Sequence, residues 1–203
     1  TTHLPNTRAS ESHSQTAADY AIFQSTLTAA KQGDDVLPAQ FLSRQSDSAM
    51  GESVRNEWLK SLGSRNRWDL FQQQYAKLDA AGRSLEVRCY ADYQALSQQG
   101  KKSSVAAEVV QELGRQAPGC NRLLEEAARR GDLKQADAWR RVRGLISNNQ
   151  MTDARNLAVA LGSPLDGSAG GQGAQEALLI NVIGPTAQKS TASAGTLESL
   201  SGS

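Results

Sequence analysis

The sequence predicts an all-α protein, a curved right-handed superhelix of short antiparallel helix hairpins (an α-solenoid), and three observations predict it. Apolar residues recur at intervals of three and four from about residue 16 to 162, the spacing that gathers them on one side of an α-helix. Glycines fall just past the ends of those stripes, at Gly33, Gly63, Gly82, Gly100, Gly114, Gly131 and Gly162, with Asn148-Asn149 taking that place once. Such residues accept the left-handed conformation that closes a helix. Successive stops from Gly63 lie 14–19 residues apart, so a helix pair takes roughly 30–37 residues, the period of helical-hairpin solenoids. No consensus recurs cleanly from pair to pair, and a globular helical bundle is the alternative architecture.

Taken in order, residues 1–15 are polar, with Leu4 as the one large aliphatic residue; they cannot repay the entropy of ordering and read as a loose leader. Residues 16–162 form the helical domain of roughly eight or nine helices. Its faces are Val54, Trp58, Leu59 and Leu62; Trp68, Phe71, Tyr75 and Leu78; Leu85, Cys89, Tyr93 and Leu96. The next are Val105, Val109, Val110 and Leu113; Cys120, Leu123, Leu124, Ala127 and Ala128; Trp139, Val142, Leu145 and Ile146; and Ala154, Leu157 and Leu161. Residues 163–203 are rich in Gly and Ser and read as a linker with a truncated continuation of the stack. Within them, Glu176 to Gly184 is apolar enough for one more helix or a buried strand, which periodicity cannot separate over so short a run.

Composition excludes several functions. The 203 residues carry a net charge of +1, so no global basic field draws the chain to nucleic acid. No apolar run approaches the roughly 20 residues of a membrane-spanning helix. The chain opens at Thr1 without a basic region and apolar stretch, so any export signal is already absent. Only His3, His13, Cys89 and Cys120 offer soft metal ligands, too few and too scattered for a structural zinc site. The cluster Gly167, Gly170, Gly171 and Gly173 lacks a following Lys-Ser/Thr and reads as a flexible linker rather than a phosphate loop. No cofactor site, metal site or catalytic residue is assigned.

Cys89 and Cys120 each share a face with apolar neighbours and point inward on helices separated by one other. A disulfide is open to them, and so is a pair of reduced core thiols; the compartment decides. Arg140, Arg141 and Arg143, with Arg129 and Arg130 a helix earlier, could meet the carboxylates of an anionic partner. Glu125, Glu126, Asp132 and Asp137 offset them, leaving residues 121–147 at +3, and a solvated, salt-bridged face is the plainer reading. Trp58, Trp68 and Trp139 could stack on sugars, yet each lies in an apolar stripe, where core packing is the default.

Three segments carry a resemblance: Val54 to Gly63 (VRNEWLKSLG), Arg67 to Phe71 (RWDLF) and Val87 to Tyr90 (VRCY). Cys120 after Ala117-Pro118-Gly119, and Ala138 to Arg143, extend it. With these the chain resembles the N-terminal superhelical U-shaped domain of soluble periplasmic lytic transglycosylases, in a form like those of Neisseria, over about residues 16–162 and more weakly 177–190. The resemblance implies an exported periplasmic protein with Cys89 and Cys120 joined. Its parent enzyme would cut the β-1,4 bond between N-acetylmuramic acid and N-acetylglucosamine in peptidoglycan, leaving a 1,6-anhydromuramoyl end, with peptidoglycan strands and cell-wall synthesis or hydrolysis proteins as partners. Family catalysis resides in a separate lysozyme-like domain, in a Glu-Ser motif followed by Gly-Leu-Met-Gln. Here Glu11-Ser12, Glu52-Ser53 and Glu198-Ser199 occur without that second motif; Glu52 suits a helix start and the others lie in polar segments. The chain is therefore expected to be a scaffold without catalytic residues of its own. The alternative is a free-standing helical-repeat interaction module, and the reading frame beyond Ser203 would separate the two.

Overall fold

A computed structural model describes residues 7–180, and every regular element among them is helical. In chain order these are α1 (Thr7–Lys31), α2 (Val36–Gln45), α3 (Ala49–Ser64), α4 (Trp68–Tyr75), a 3-10 turn at Ala80–Gly82, α5 (Leu85–Gln99), α6 (Ser104–Val109), α7 (Pro118–Arg129), α8 (Gln135–Ser147) and α9 (Met151–Ala160). Residues 171–180 are helical too and are called α10 here. Packing divides the described residues into two units, the first ending at Ala95 and the second starting at Leu96.

In the first unit α1, α2 and α3 pack mutually and α4 packs on α3. The core is the face of α3 read from the sequence: Val54, Trp58, Leu59 and Leu62 are all buried, with Ala30, Phe41, Leu42, Phe71, Val87 and Tyr90 around them. Side chains supply the helix starts. The Ser48 hydroxyl accepts from the Gly51 N–H at 2.9 Å, and the Asp34 carboxylate accepts from Val36 and Leu37 N–H at 2.7 and 3.2 Å, satisfying donors that a helix leaves open.

α1 begins at Thr7, inside the stretch expected to be a loose leader. Phe23 and Leu27 pack on the core and Thr26, Ala29 and Ala30 are buried, whereas most of residues 14–22 are exposed. The packed turns supply the costly nucleus, and residues of fair helix propensity then extend it cheaply toward the N-terminus.

In the second unit α7 packs on α9, α8 on α9 and α6 on α7. Its core holds Cys120, Leu123, Leu124, Ala127, Val142, Leu145, Ala154 and Leu157. Pro118 opens α7, where a missing N–H costs nothing. α6 stops at Val109, so Leu113, expected on its stripe, lies in the following loop, 77% exposed.

Five helix ends share one closing device, a residue of positive φ followed by a backbone bond reaching five residues back. Gly33, Gly131, Gly162 and Asn149 occupy it as the sequence indicated, and Asn66 fills it at the end of α3. The bonds are Asp34 N to Ala29 O, Arg67 N to Leu62 O, Asp132 N to Ala127 O, Gln150 N to Leu145 O and Ser163 N to Ala158 O, at 2.9–3.1 Å. Gly63, Gly82 and Gly114 have no positive φ. Gly63 instead lies within α3, where the Tyr90 ring sits so close that an added Cβ would fall 2.5 Å from its Cγ. Because Tyr90 is buried, Gly63→Ala should lower unfolding free energy by about 1–3 kcal/mol, read as a lower urea midpoint; an unchanged midpoint would show that the ring yields freely.

The turn from α1 into α2 is tied to the end of α3 through Asp35. Its Oδ1 accepts from Trp58 Nε1 at 2.8 Å and Arg65 Nη2 at 2.6 Å, and Arg67 Nη1 lies 3.7 Å from Oδ2. The Arg65 hydrogen bond, outweighing the opposing push of burial and helped by Trp58 and Arg67, holds the Asp35 carboxyl below its ordinary value. A lowered carboxylate pKa stabilises the fold above the unfolded value of about 3.9 and loses that contribution as pH falls through the folded value. Wild type should therefore lose stability on acidification below about pH 4 more steeply than Asp35→Asn; parallel acid limbs in chemical denaturation would dismiss the contribution.

The glycine cluster read as a flexible linker is a defined turn. Ser163 Oγ donates to Gly170 O at 2.6 Å and accepts from Gly173 N at 2.8 Å, while Gly167, Gly170 and Gly171 adopt positive φ. A Cβ on Gly173 would come within 1.9 Å of Ser163 O. Close backbone approach explains the glycines, which composition alone cannot tell from flexibility. The turn delivers α10, so the described part of the ambiguous apolar run is helix; residues from 181 onward lie outside the described residues.

Candidate functional site

The five arginines singled out as a possible anionic-partner surface do not form one surface. Arg141 is buried, 1% exposed. Its Nε donates to Gln116 Oε1 at 2.7 Å, Nη1 to the Glu112 carbonyl at 2.5 Å and Nη2 to the Gly114 carbonyl at 2.6 Å. It pins the loop between α6 and α7 from within, and burial lowers its pKa from the ordinary arginine value. An arginine in an exposed-looking Arg-Arg-Val-Arg run was expected at the surface. Of its three arginines the helix turn puts only Arg141 on the inner face, between Ala138 and Leu145.

Arg140 pairs with Asp137 at 2.9 Å and also donates to Gln111. Arg143 pairs with Glu176 of α10 at 2.7 Å, a carboxylate that also accepts from Gln172 at 2.8 Å. Arg140 thus ties α8 to the loop after α6, and Arg143 ties α8 to α10.

Arg129 and Arg130 remain on a surface. Both reach back to Glu126, at 2.9 and 2.8 Å, and the Arg130 hydrogen bond foremost holds that carboxyl below its ordinary value. Arg130 Nη2 also donates to the Ser97 carbonyl at 3.2 Å near the end of α5. An added Cβ on Gly100 would lie 3.9 Å from Arg130 Nη1, which brings Lys101 and Lys102 to the same place. Lys102 Nζ stands 4.0 Å from Asp132, and Lys134 lies on the same turn into α8.

The arrangement is a basic turn where α5 closes at Gly100 and α7 at Gly131. Lys101, Lys102, Arg129, Arg130 and Lys134 are all exposed, against the carboxylates of Glu126 and Asp132. Cations suit this location because helix C-termini carry partial negative charge and open carbonyls. The surplus of positive charge, in exposed and mobile side chains, can meet carboxylates or phosphates of an extended polymer, with a contribution screened beyond about 8–10 Å at ordinary ionic strength. The sequence reading did not single out the three lysines; the signal for them is their place beside the C-capping glycines in Gly100-Lys101-Lys102 and Gly131-Asp132-Leu133-Lys134, and only folding brings the two runs together.

Cys89 on α5 and Cys120 on α7 are buried and disulfide-bonded, and no cysteine is free. Trp58 and Trp139 are buried; Trp68 packs edge-on against Phe71 at 5.4 Å and beside Tyr93 at 6.0 Å. None of the three stands as an open sugar-stacking platform. Glu52 is exposed in the first turn of α3, its carboxylate beside Gly82. The side chain of Glu11 and all of Glu198 lie outside the described residues. Among the described residues no group of His, Cys, Asp and Glu is placed to hold a metal ion, and no helix is long and apolar enough to cross a membrane. Comparison with protein-family models gives no match, and comparison with curated proteins gives none either.

Proposed function

We propose that this chain is a helical scaffold from a peptidoglycan lytic transglycosylase, a curved right-handed superhelix that positions a lysozyme-like catalytic domain on the glycan strand in the periplasm. The observation that carries the reading is the oxidised pair Cys89 and Cys120, because it falls in the two segments, VRCY and APGC, that carry the resemblance. Buried disulfides persist in oxidising compartments. The all-helical fold and the intact face of α3 through Val54-Arg55-Asn56-Glu57-Trp58-Leu59 are what such a domain requires. The basic turn adds a surface suited to stem-peptide carboxylates.

The test is co-sedimentation of the purified chain with isolated sacculi. Wild type should pellet with them at low salt and be released by about 0.5 M salt, beyond the range of surface ion pairing. Replacing Lys101, Lys102 and Lys134 together with Glu should weaken retention by about tenfold or more. These side chains are exposed, so circular dichroism should be unchanged. Equal retention of both proteins would remove the basic turn from the proposal; no retention of wild type would remove wall engagement.

A further inference from the structure

We propose that the open seam between α1 and α2 pairs two copies of this chain about a two-fold axis. The inference is independent of the wall-scaffold reading. The two helices, joined through the turn at Gly33, line a groove of about 180 Å³. Asp19, Ile22 and Thr26 come from α1, at the three- and four-residue spacing of one helical stripe; Leu37, Phe41 and Arg44 come from α2 at the matching spacing. The floor is apolar at Phe41, while Ile22 and Leu37 on the rims are 54% and 43% exposed. Tyr20 and Val36, on the same two helices, are 54% and 61% exposed. Of these, Ile22 and Leu37 face each other across the groove, and an apolar pair open to water over an apolar floor suits a covered surface.

The charges select the occupant. Counting away from the turn, Asp19 on α1 and Arg44 on α2 both stand at the far end of the groove, one on each wall, and no ion pair joins them. Among the described residues Asp19 accepts only from Gln15, at 3.1 Å, and Arg44 has no partner. A two-fold axis makes every contact twice, residue i to j and j to i. With the axis running along the groove, it sets Asp19 of each copy against Arg44 of the partner subunit, while Ile22 and Leu37 close over the apolar floors. One groove wall bearing each sign is self-complementary, which a patch of one sign is not. One groove and its two rims are all that each copy brings to the contact, so the pairing is weak, with a dissociation constant near 0.1 mM as an order of magnitude.

Analytical ultracentrifugation of the full 203-residue chain, from about 10 µM to about 1 mM, tests it. Wild type should shift from monomer to dimer across that range. Asp19→Arg and Arg44→Asp should each weaken association about tenfold or more, because each sets like charges together twice. Mixed in equal amounts, the two variants should form a dimer within about threefold of wild-type affinity, since both contacts then pair opposite charges. Only a contact between copies gives that rescue on mixing. A wild type monomeric throughout would overturn the second copy and leave the seam to another protein's helix. A dimer indifferent to both substitutions, or a mixture no tighter than either variant, would overturn the proposed geometry.

Discussion

Reducing the disulfide should lower the melting temperature of the wild-type chain by roughly 10 °C, and Cys89→Ser should lower it by that much and somewhat more. Cys89 and Cys120 close a loop of about 30 residues, worth about 3–4 kcal/mol when the unfolded chain is so constrained. For a domain of this size each kcal/mol moves the midpoint by about 2–4 °C. Both cysteines are buried, so the serine variant also buries a hydroxyl in place of sulfur and should be the less stable of the two forms. Non-reducing peptide mapping of material from an oxidising compartment should recover the linked pair. Identical midpoints with and without reductant would show that the crosslink constrains nothing the fold does not already fix.

Arg141→Met should cost about 3–5 kcal/mol of unfolding free energy, the largest effect expected from one substitution in the second unit. Methionine fills much of the volume but leaves the Glu112 and Gly114 carbonyls and Gln116 Oε1 without their donor. Gln116 is buried, and an acceptor stranded there costs about 1–3 kcal/mol; the two carbonyls lie on exposed residues and lose less, because water can reach them. Gln116 is itself joined to Gln150 through its backbone N–H and carbonyl at 2.8 and 2.9 Å, and to Asn121 at 2.5 Å. The loss should therefore spread to the start of α9, and hydrogen exchange should quicken over residues 110–117 before it does elsewhere. Arg141→Lys should recover less than half, because one ammonium cannot span acceptors arranged for a planar fork. If Met were tolerated within about 1 kcal/mol, the loop would be held by its other contacts and Arg141 would be dispensable.

Much of this architecture is written locally and some of it is not. The helical class and the faces of α3, α7 and α8 follow from spacing, because burial of a stripe is what stabilises an amphipathic helix. Gly33, Gly131 and Gly162 were readable as helix ends for the same local reason. Gly63 was not: its lack of a side chain serves the Tyr90 ring, a neighbour 27 positions along the chain, while Asn66 takes the capping role. Leu113 misleads because α6 is cut short by a loop whose tether, Arg141, comes from α8. Arg141 misleads in turn because a charged residue in a charged run looks solvated until its three acceptors are in place. The basic turn was half legible, through Arg129 and Arg130; Lys134 stands four residues on, and Lys101 and Lys102 join from a different stretch of sequence.

The most direct measurement of the central claim is mass spectrometry of sacculi digested with the product of the complete reading frame, beside sacculi incubated with this chain alone. The account predicts 1,6-anhydromuropeptides from the former, and from this chain salt-sensitive retention without new ends, with Glu52→Gln behaving as wild type. Acid catalysis needs a carboxyl held neutral in a cleft that grips the sugar, and Glu52 stands exposed at a helix start. Anhydro product from this chain that vanished in Glu52→Gln would contradict the scaffold role, and hydrolysed reducing ends, or no cleavage at all, from the complete product would contradict the lytic transglycosylase parent.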